Sequence, residues 1–346
     1  MLAQSKIKLL SIRKYLKQKL LELFPNNHNN NTYMLPPVDA NGSAQNGIAV
    51  ITIIKNEAPY LAEWLEFHFM LGVRHIYIYD NGSTDEMPNV VAPYIRTQTV
   101  TIVPWRNFSV ELNPQLLAYA HALANFGWRY RWVSTIDVDE FLFPVEGNSL
   151  ERALAEFEDQ PVINLPWINF GPSGHKTKPD GLVIENYTER AAFPPRADQY
   201  SLLRYKSIIN PREVQTAGAH DFLLRGKGRI MMNDRGEIFA PYKERNVRYA
   251  SADKIRLHHY FTRSEEEIQN KLNKGRVSKK GKVNPAALDR RLKQYALATE
   301  RDETILRFVP ELKKRLAERH QQVRQDMSPS HELEQFSSAE LHIAMT

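Results

Sequence analysis

The sequence contains no cysteine. Disulfides and thiolate metal sites are therefore excluded, and a reducing compartment is compatible with the chain. No stretch approaches the roughly 20 consecutive apolar residues that a membrane-spanning helix needs. The first residues lack a continuous apolar segment followed by a small-residue cleavage site, so no secretory leader is expected. No Gly-x-Gly-x-x-Gly follows the first apolar run, and Gly-x-x-x-x-Gly-Lys-Ser/Thr is missing. Both absences disfavour dinucleotide binding of the Rossmann kind and P-loop phosphoryl transfer. Excess charge of one sign is small: the formal net charge is +6. That balance suits phosphates or an acidic membrane surface, but it is too weak and dispersed to argue for nucleic acid.

What is there is ordinary globular material, 42% hydrophobic and 25% charged over 346 residues. Such a chain has room for one α/β domain of roughly 200–250 residues with appendages. Three regions are expected: residues 1–46, 47–275 and 276–346. Residues 2–24 read as a basic amphipathic helix, with Leu9, Ile12, Leu16, Leu20 and Leu23 at helical spacing and Lys6, Lys8, Arg13, Lys14, Lys17 and Lys19 around them. Such a helix can lie in a bilayer interface, or it can pack on its own domain or a partner. Both readings stay open, and the expected location is cytoplasmic, with or without peripheral attachment to the inner face of the membrane. Residues 25–46 follow as an Asn- and Pro-rich linker.

From Ile48 the pattern changes. Ile48 to Ile54 is a continuous run rich in β-branched residues, as in a strand buried on both faces of a parallel sheet. A helix is predicted after Pro59, with Leu61, Trp64, Leu65, His68 and Phe69 on one face and Gly72 as its stop. Strands are predicted at His75–Tyr79, Thr99–Val103, Trp132–Ile136 and Pro161–Phe170, and helices near Val90–Ile95 and from Pro114 to Phe126. One or two further helices are expected over 286–325. The alternation predicts an α/β fold with a doubly wound, mostly parallel sheet flanked by helices. Ligands of such sheets collect beyond the carboxyl ends of the strands. Lys55-Asn56-Glu57, Asp80 to Asp85 and Asp137 to Glu140 all fall there.

Asp137 and Asp139 stand two residues apart at the end of an apolar strand. Strand alternation would aim both at one point, where hard oxygen ligands suit Mg²⁺ or Mn²⁺ and a substrate's phosphates. Such an ion would neutralise a departing nucleoside diphosphate.

Several stretches occur in order: Ile53-Ile54-Lys55-Asn56-Glu57, Glu63-Trp64-Leu65-Glu66-Phe67-His68, His75-Ile76-Tyr77-Ile78-Tyr79-Asp80-Asn81 and Asp137-Val138-Asp139-Glu140-Phe141. Together they resemble the GT-A glycosyltransferases of family 92 and their family-2-like relatives, over about Ile48 to Lys274. The resemblance implies a metal-dependent enzyme that moves a sugar from a nucleoside-diphospho-sugar, UDP-linked by first expectation, to a glycan or glycolipid acceptor, with inversion at the anomeric carbon. By the same resemblance Lys55, Asn56, Glu57 and Asp80 line the nucleotide pocket, Asp137 lies near ribose and metal, and Asp139 is the direct metal ligand. His259, preferred to His258, completes the metal shell, while Arg263 and Lys271 place positive charge near phosphate.

The group that takes the acceptor's proton is not fixed by pattern; Glu185 and the pair His220 and Asp221 are the candidates. A sugar nucleotidyltransferase and a non-catalytic module bound to membrane or glycan remain the alternatives.

Overall fold

The computed structural model describes residues 34–35, 46–106, 113–196, 203–241, 246–274, 292, 295 and 298–326. The basic arm at 2–24, most of the linker and the tail beyond 326 lie outside the described residues. Among those described, no helix is long and apolar enough to cross a membrane.

The first half of the chain alternates strand and helix. β1 (Ile48–Ile54) leads to α1 (Ala58–Met70), β2 (Val73–Asp80), α2 (Met87–Arg96), β3 (Val100–Pro104), α3 (Pro114–Asn125) and β4 (Trp132–Thr135). Local chemistry sets the helix ends. Pro59 opens α1 and Gly72, at φ +94°, follows its last turn. Asn113 caps α3 by accepting from the amides of Gln115 (3.0 Å) and Leu116 (3.3 Å).

β5 (Glu140–Pro144), the short α4 (Leu150–Leu154), β6 (Val162–Asn169), the single-turn α5 (Val183–Asn186), β7 (Tyr205–Ile209), β8 (Ile255–His259), α6 (Glu265–Lys274) and α7 (Val309–Asp326) complete the main elements. The eight strands form one sheet in the order β3-β2-β1-β4-β7-β6-β8-β5. β3, β2, β1 and β4 are parallel, β7 runs antiparallel to both neighbours, and β5 is antiparallel to β8. The sheet is therefore mixed and mostly parallel, in agreement with the fold class expected from the sequence.

Every residue of β1 is buried. Ile48, Val50 and Ile54 join the apolar cluster that also holds Trp64 and Phe67 of α1, whereas Ala49, Ile51 and Ile53 join the one holding Tyr119 and Leu123 of α3. Period-two alternation thus feeds two cores, one on each face.

Ile305, Phe308 and Leu312 belong to the α1 cluster, so the C-terminal stretch packs into the same core as the sheet. The helices expected over 286–325 are interrupted: a two-residue strand, Glu300–Arg301, pairs with Glu189–Arg190 before α7 begins.

α7 is pinned by charge as well as by apolar contact. Arg319 lies 3.0 Å from the carboxylate of Glu66, a residue only 3% exposed, and its guanidinium covers the Tyr94 ring at 4.6 Å. Arg319→Met would leave the buried Glu66 carboxylate without a cation, with the Tyr94 hydroxyl (2.9 Å) still donating to it, and a loss of about 3 kcal/mol is expected. Thermal melts check this, and an unchanged midpoint would rule out the clamp.

Candidate active site

The loops beyond the carboxyl ends of β1 and β2 are knitted together. Asn56, held at φ +57°, donates its amide to Ser83 Oγ (3.0 Å) and accepts the Thr84 amide on its side chain (2.7 Å). Ser83 donates its amide to Asp80 Oδ1 (2.8 Å), and the Ala58 amide reaches Asp85 Oδ2 (2.9 Å). Glu57 faces Arg263 at 3.5 Å. The residues predicted for a nucleotide pocket, Asn56, Glu57 and Asp80, are thereby fixed along one edge of the sheet, with Lys55 exposed beside them.

The Asp-x-Asp geometry differs from the sequence expectation. β4 ends at Thr135, so Asp137 and Asp139 lie in the turn between β4 and β5, where strand alternation does not operate. The two carboxylates go to different partners. Asp137 Oδ2 lies 3.0 Å from the Lys206 ammonium. Asp139 Oδ2 touches the Lys271 ammonium, and its Oδ1 is 3.9 Å from His259 Nε2.

The acids that meet are Asp139 and its neighbour Glu140. One ligand atom each from Asp139, Glu140 and His259 all lie within 4.8 Å of one another. The register explains why: β5 and β8 pair antiparallel, and Glu140 is directly opposite His259. Alternation along β8 turns His258 the other way, among the rings of Phe143 (4.6 Å) and Phe170 (4.5 Å).

The three residues fit a divalent cation. Asn169 Oδ1 can only accept, so His259 Nδ1 carries the proton of their 2.9 Å bond and Nε2 is the ring nitrogen turned toward Asp139. Tyr295 Oη donates to the same oxygen at 3.1 Å, and Trp167 stacks on the imidazole at 4.1 Å. Glu140 is fully buried, and its Oε1 has no hydrogen-bond partner among the described residues. Burial raises the Glu140 pKa well above the ordinary carboxyl value, with Lys206 opposing. Burial also works against ionisation of Asp139, but Lys271, His259 and Arg263 hold its carboxyl well below the usual range. Two hard oxygens and one imidazole form a donor set that accepts Mn²⁺ or Mg²⁺.

The remaining candidates separate. His220 donates Nδ1–H to the Tyr205 carbonyl (2.9 Å) and meets the Trp167 ring edge-on at 5.8 Å. Burial, and then the Lys206 charge, lower its pKa, so the imidazole is neutral at pH 7. Asp221 does not orient His220; it pairs with Arg229 at 3.0 Å. Glu185 closes the first turn of α5 through the Leu182 amide (2.9 Å) and pairs with Lys313 of α7 (2.6 Å). Its partners are those of a structural acid.

The glycosyltransferase family 92 model matches residues 49–293, a span that contains every residue of this cluster except Tyr295. The chain belongs to glycosyltransferase family 92. A family 92 protein of Ricinus communis is 28% identical over 211 residues, covering 58% of this chain and 36% of that protein. Galactan beta-1,4-galactosyltransferase of Arabidopsis thaliana is 29% identical over 126 residues, covering 32% of this chain and 25% of that protein. The chain therefore spans about a quarter to a third of the length of these relatives. Among solved structures, S. aureus TarS 1-349 in complex with UDP overlaps 48% of this chain and 47% of its own, at 17% identity and a TM-score of 0.31. A likeness that low says nothing about the site.

Two residues of this family 92 chain carry roles that the sequence reading did not assign to them. Glu140 opens a strand that is otherwise apolar, and Lys206 sits within the fully buried β7. A charged residue inside such a run needs a partner. Here each finds the other, with Lys206 Nζ 3.5 Å from Glu140 Oε2 and the Asp137 amide donating to that same oxygen at 3.0 Å.

Proposed function

We propose that this family 92 chain transfers a sugar from a nucleoside-diphospho-sugar, with UDP the first donor nucleotide to test, to a hydroxyl of a glycan or glycolipid. The observation that carries this reading is the convergence of Asp139, Glu140 and His259, with a buried Glu140 oxygen that has no hydrogen-bond partner among the described residues. A divalent cation held there would supply Lewis-acid charge to mask the departing diphosphate.

The chain's own residues take the other roles. Asn56, Glu57 and Asp80, locked to the β2 loop, form the edge against which base and ribose rest, with Lys55 beside them. Asp137, held by Lys206 at 3.0 Å, faces the ribose end of the donor. His220 is the proton acceptor we favour over Glu185 and Asp221, because its Nε2 is unprotonated at neutral pH and Tyr205 fixes the ring. The acceptor oxygen forms its bond to the anomeric carbon as the bond to the diphosphate oxygen breaks. The hydroxyl proton passes to His220. Attack from the face opposite the leaving group inverts the centre, as the family resemblance implies.

Incubation with a panel of nucleotide sugars tests the reading without knowledge of the acceptor. Hydrolysis of one donor in the presence of Mn²⁺, abolished by EDTA, is the expected result. No hydrolysis of any donor, combined with no binding of UDP or GDP with Mn²⁺, would overturn it.

A further inference from the structure

Lys271 is held by the same carboxylate that a divalent cation would use. Its ammonium touches Asp139 Oδ2, lies 3.4 Å from the Phe261 carbonyl oxygen, and sits 4.3 Å above the Phe261 ring. The Lys271 side chain is 34% exposed and that of Asp139 only 10%. The lysine thus reaches in from solvent to a carboxylate that is otherwise enclosed.

Its helix is anchored one turn earlier. Glu267 accepts from the Ser264 amide (3.0 Å), the Ser264 hydroxyl (2.6 Å) and Tyr187 Oη (2.7 Å). With the first turn of α6 fixed, the four-carbon stem of Lys271 is the part free to move.

Beside the ammonium opens a cavity of about 410 Å³, lined by residues that include Glu57, Tyr60, Arg263, Glu267 and Lys271. Arg263 is the unusual member. It is 6% exposed, sits at φ +50° although it is not glycine, and stacks on Tyr60 at 3.3 Å. Its Nε has no hydrogen-bond partner among the described residues. A buried guanidinium with a donor to spare, in a strained backbone setting, points to an anionic ligand in this cavity.

We propose that Lys271 is an exchangeable counter-ion: it neutralises Asp139 until a divalent cation binds, is displaced by that cation, and then turns into the cavity to meet the donor's diphosphate beside Arg263. The idea rests on the cation site proposed above. An ammonium and a divalent ion held by one carboxylate, even on its two different oxygens, repel each other strongly. Cation alone must therefore compete with the lysine, whereas cation and nucleoside diphosphate together give the lysine a new partner. Their binding is cooperative, and each strengthens the other by the same factor.

Calorimetric titration of Mn²⁺ into wild type, Lys271→Met and Lys271→Arg, each with and without UDP, tests the exchange. Lys271→Met is expected to bind Mn²⁺ alone about tenfold more tightly and UDP, at saturating Mn²⁺, about tenfold more weakly. Lys271→Arg keeps the charge and is expected to follow wild type in direction. Equal Mn²⁺ affinity in wild type and Lys271→Met would overturn the exchange and leave the cation site standing. UDP binding that needs no cation and is lost in Lys271→Met would also overturn it, because the lysine would then replace the cation instead of yielding to it. No Mn²⁺ binding to any of the three proteins, with or without UDP, would overturn both.

Discussion

Asp139→Asn is expected to abolish Mn²⁺-dependent UDP binding and to lower donor hydrolysis by at least about 10²-fold. The substitution keeps the shape of the side chain and removes one charged oxygen from a group whose ligand atoms lie within 4.8 Å of one another. Its structural cost is small. The Lys271 ammonium loses its partner, but that side chain is a third exposed and water can take over. A thermal midpoint near wild type with no protection by UDP and Mn²⁺ would therefore separate a site defect from a folding defect. Hydrolysis at the wild-type rate would remove Asp139 from the chemistry.

Lys206→Met is expected to act on both stability and site. Its side chain is 2% exposed, 3.0 Å from Asp137 and 3.5 Å from Glu140. Burial works against its charge, yet the two carboxylates raise its pKa well above the ordinary lysine value. Losing the ammonium leaves a buried carboxyl group without its cation, at a cost of about 3 kcal/mol or more. The turn from Asp137 to Glu140 is also freed, because Lys206 ties both ends of it. Mn²⁺ affinity should fall by about 10–100-fold, because Lys206 opposes protonation of Glu140 and holds its carboxyl group in place. Thermal melts and calorimetry on the same preparation check the pair of effects. A lower midpoint with unchanged Mn²⁺ affinity would reduce Lys206 to a structural role.

The sheet was legible because its signals are local. The run from Ile48 to Ile54, the Pro59-to-Gly72 helix and the helix from Pro114 each carry a local pattern, and the structure has each of them. The site was legible in part. The clusters at Lys55, Asp80 and Asp137 do gather at the carboxyl ends of parallel strands, as the alternation implied. Which oxygens converge was not legible, because that depends on where β4 stops. Ending at Thr135, it replaces alternation by a turn, separates Asp137 from Asp139, and brings in Glu140. The pairing of Glu140 with His259 joins residues 119 positions apart through a strand register that no local pattern encodes. Lys206 and Asn169 belong to the same class of long-range contact. His220 and Asp221, adjacent in sequence, take separate partners, the Tyr205 carbonyl and Arg229.

The central claim is that Asp139, Glu140 and His259 hold one divalent cation. Anomalous diffraction from crystals grown with Mn²⁺ and UDP measures this directly. The account predicts a single strong peak at bonding distance, about 2–2.5 Å, from a carboxylate oxygen of Asp139, a carboxylate oxygen of Glu140 and Nε2 of His259, with the Lys271 ammonium moved off Asp139. A peak coordinated by other residues, or UDP bound with no peak at these three, would contradict it.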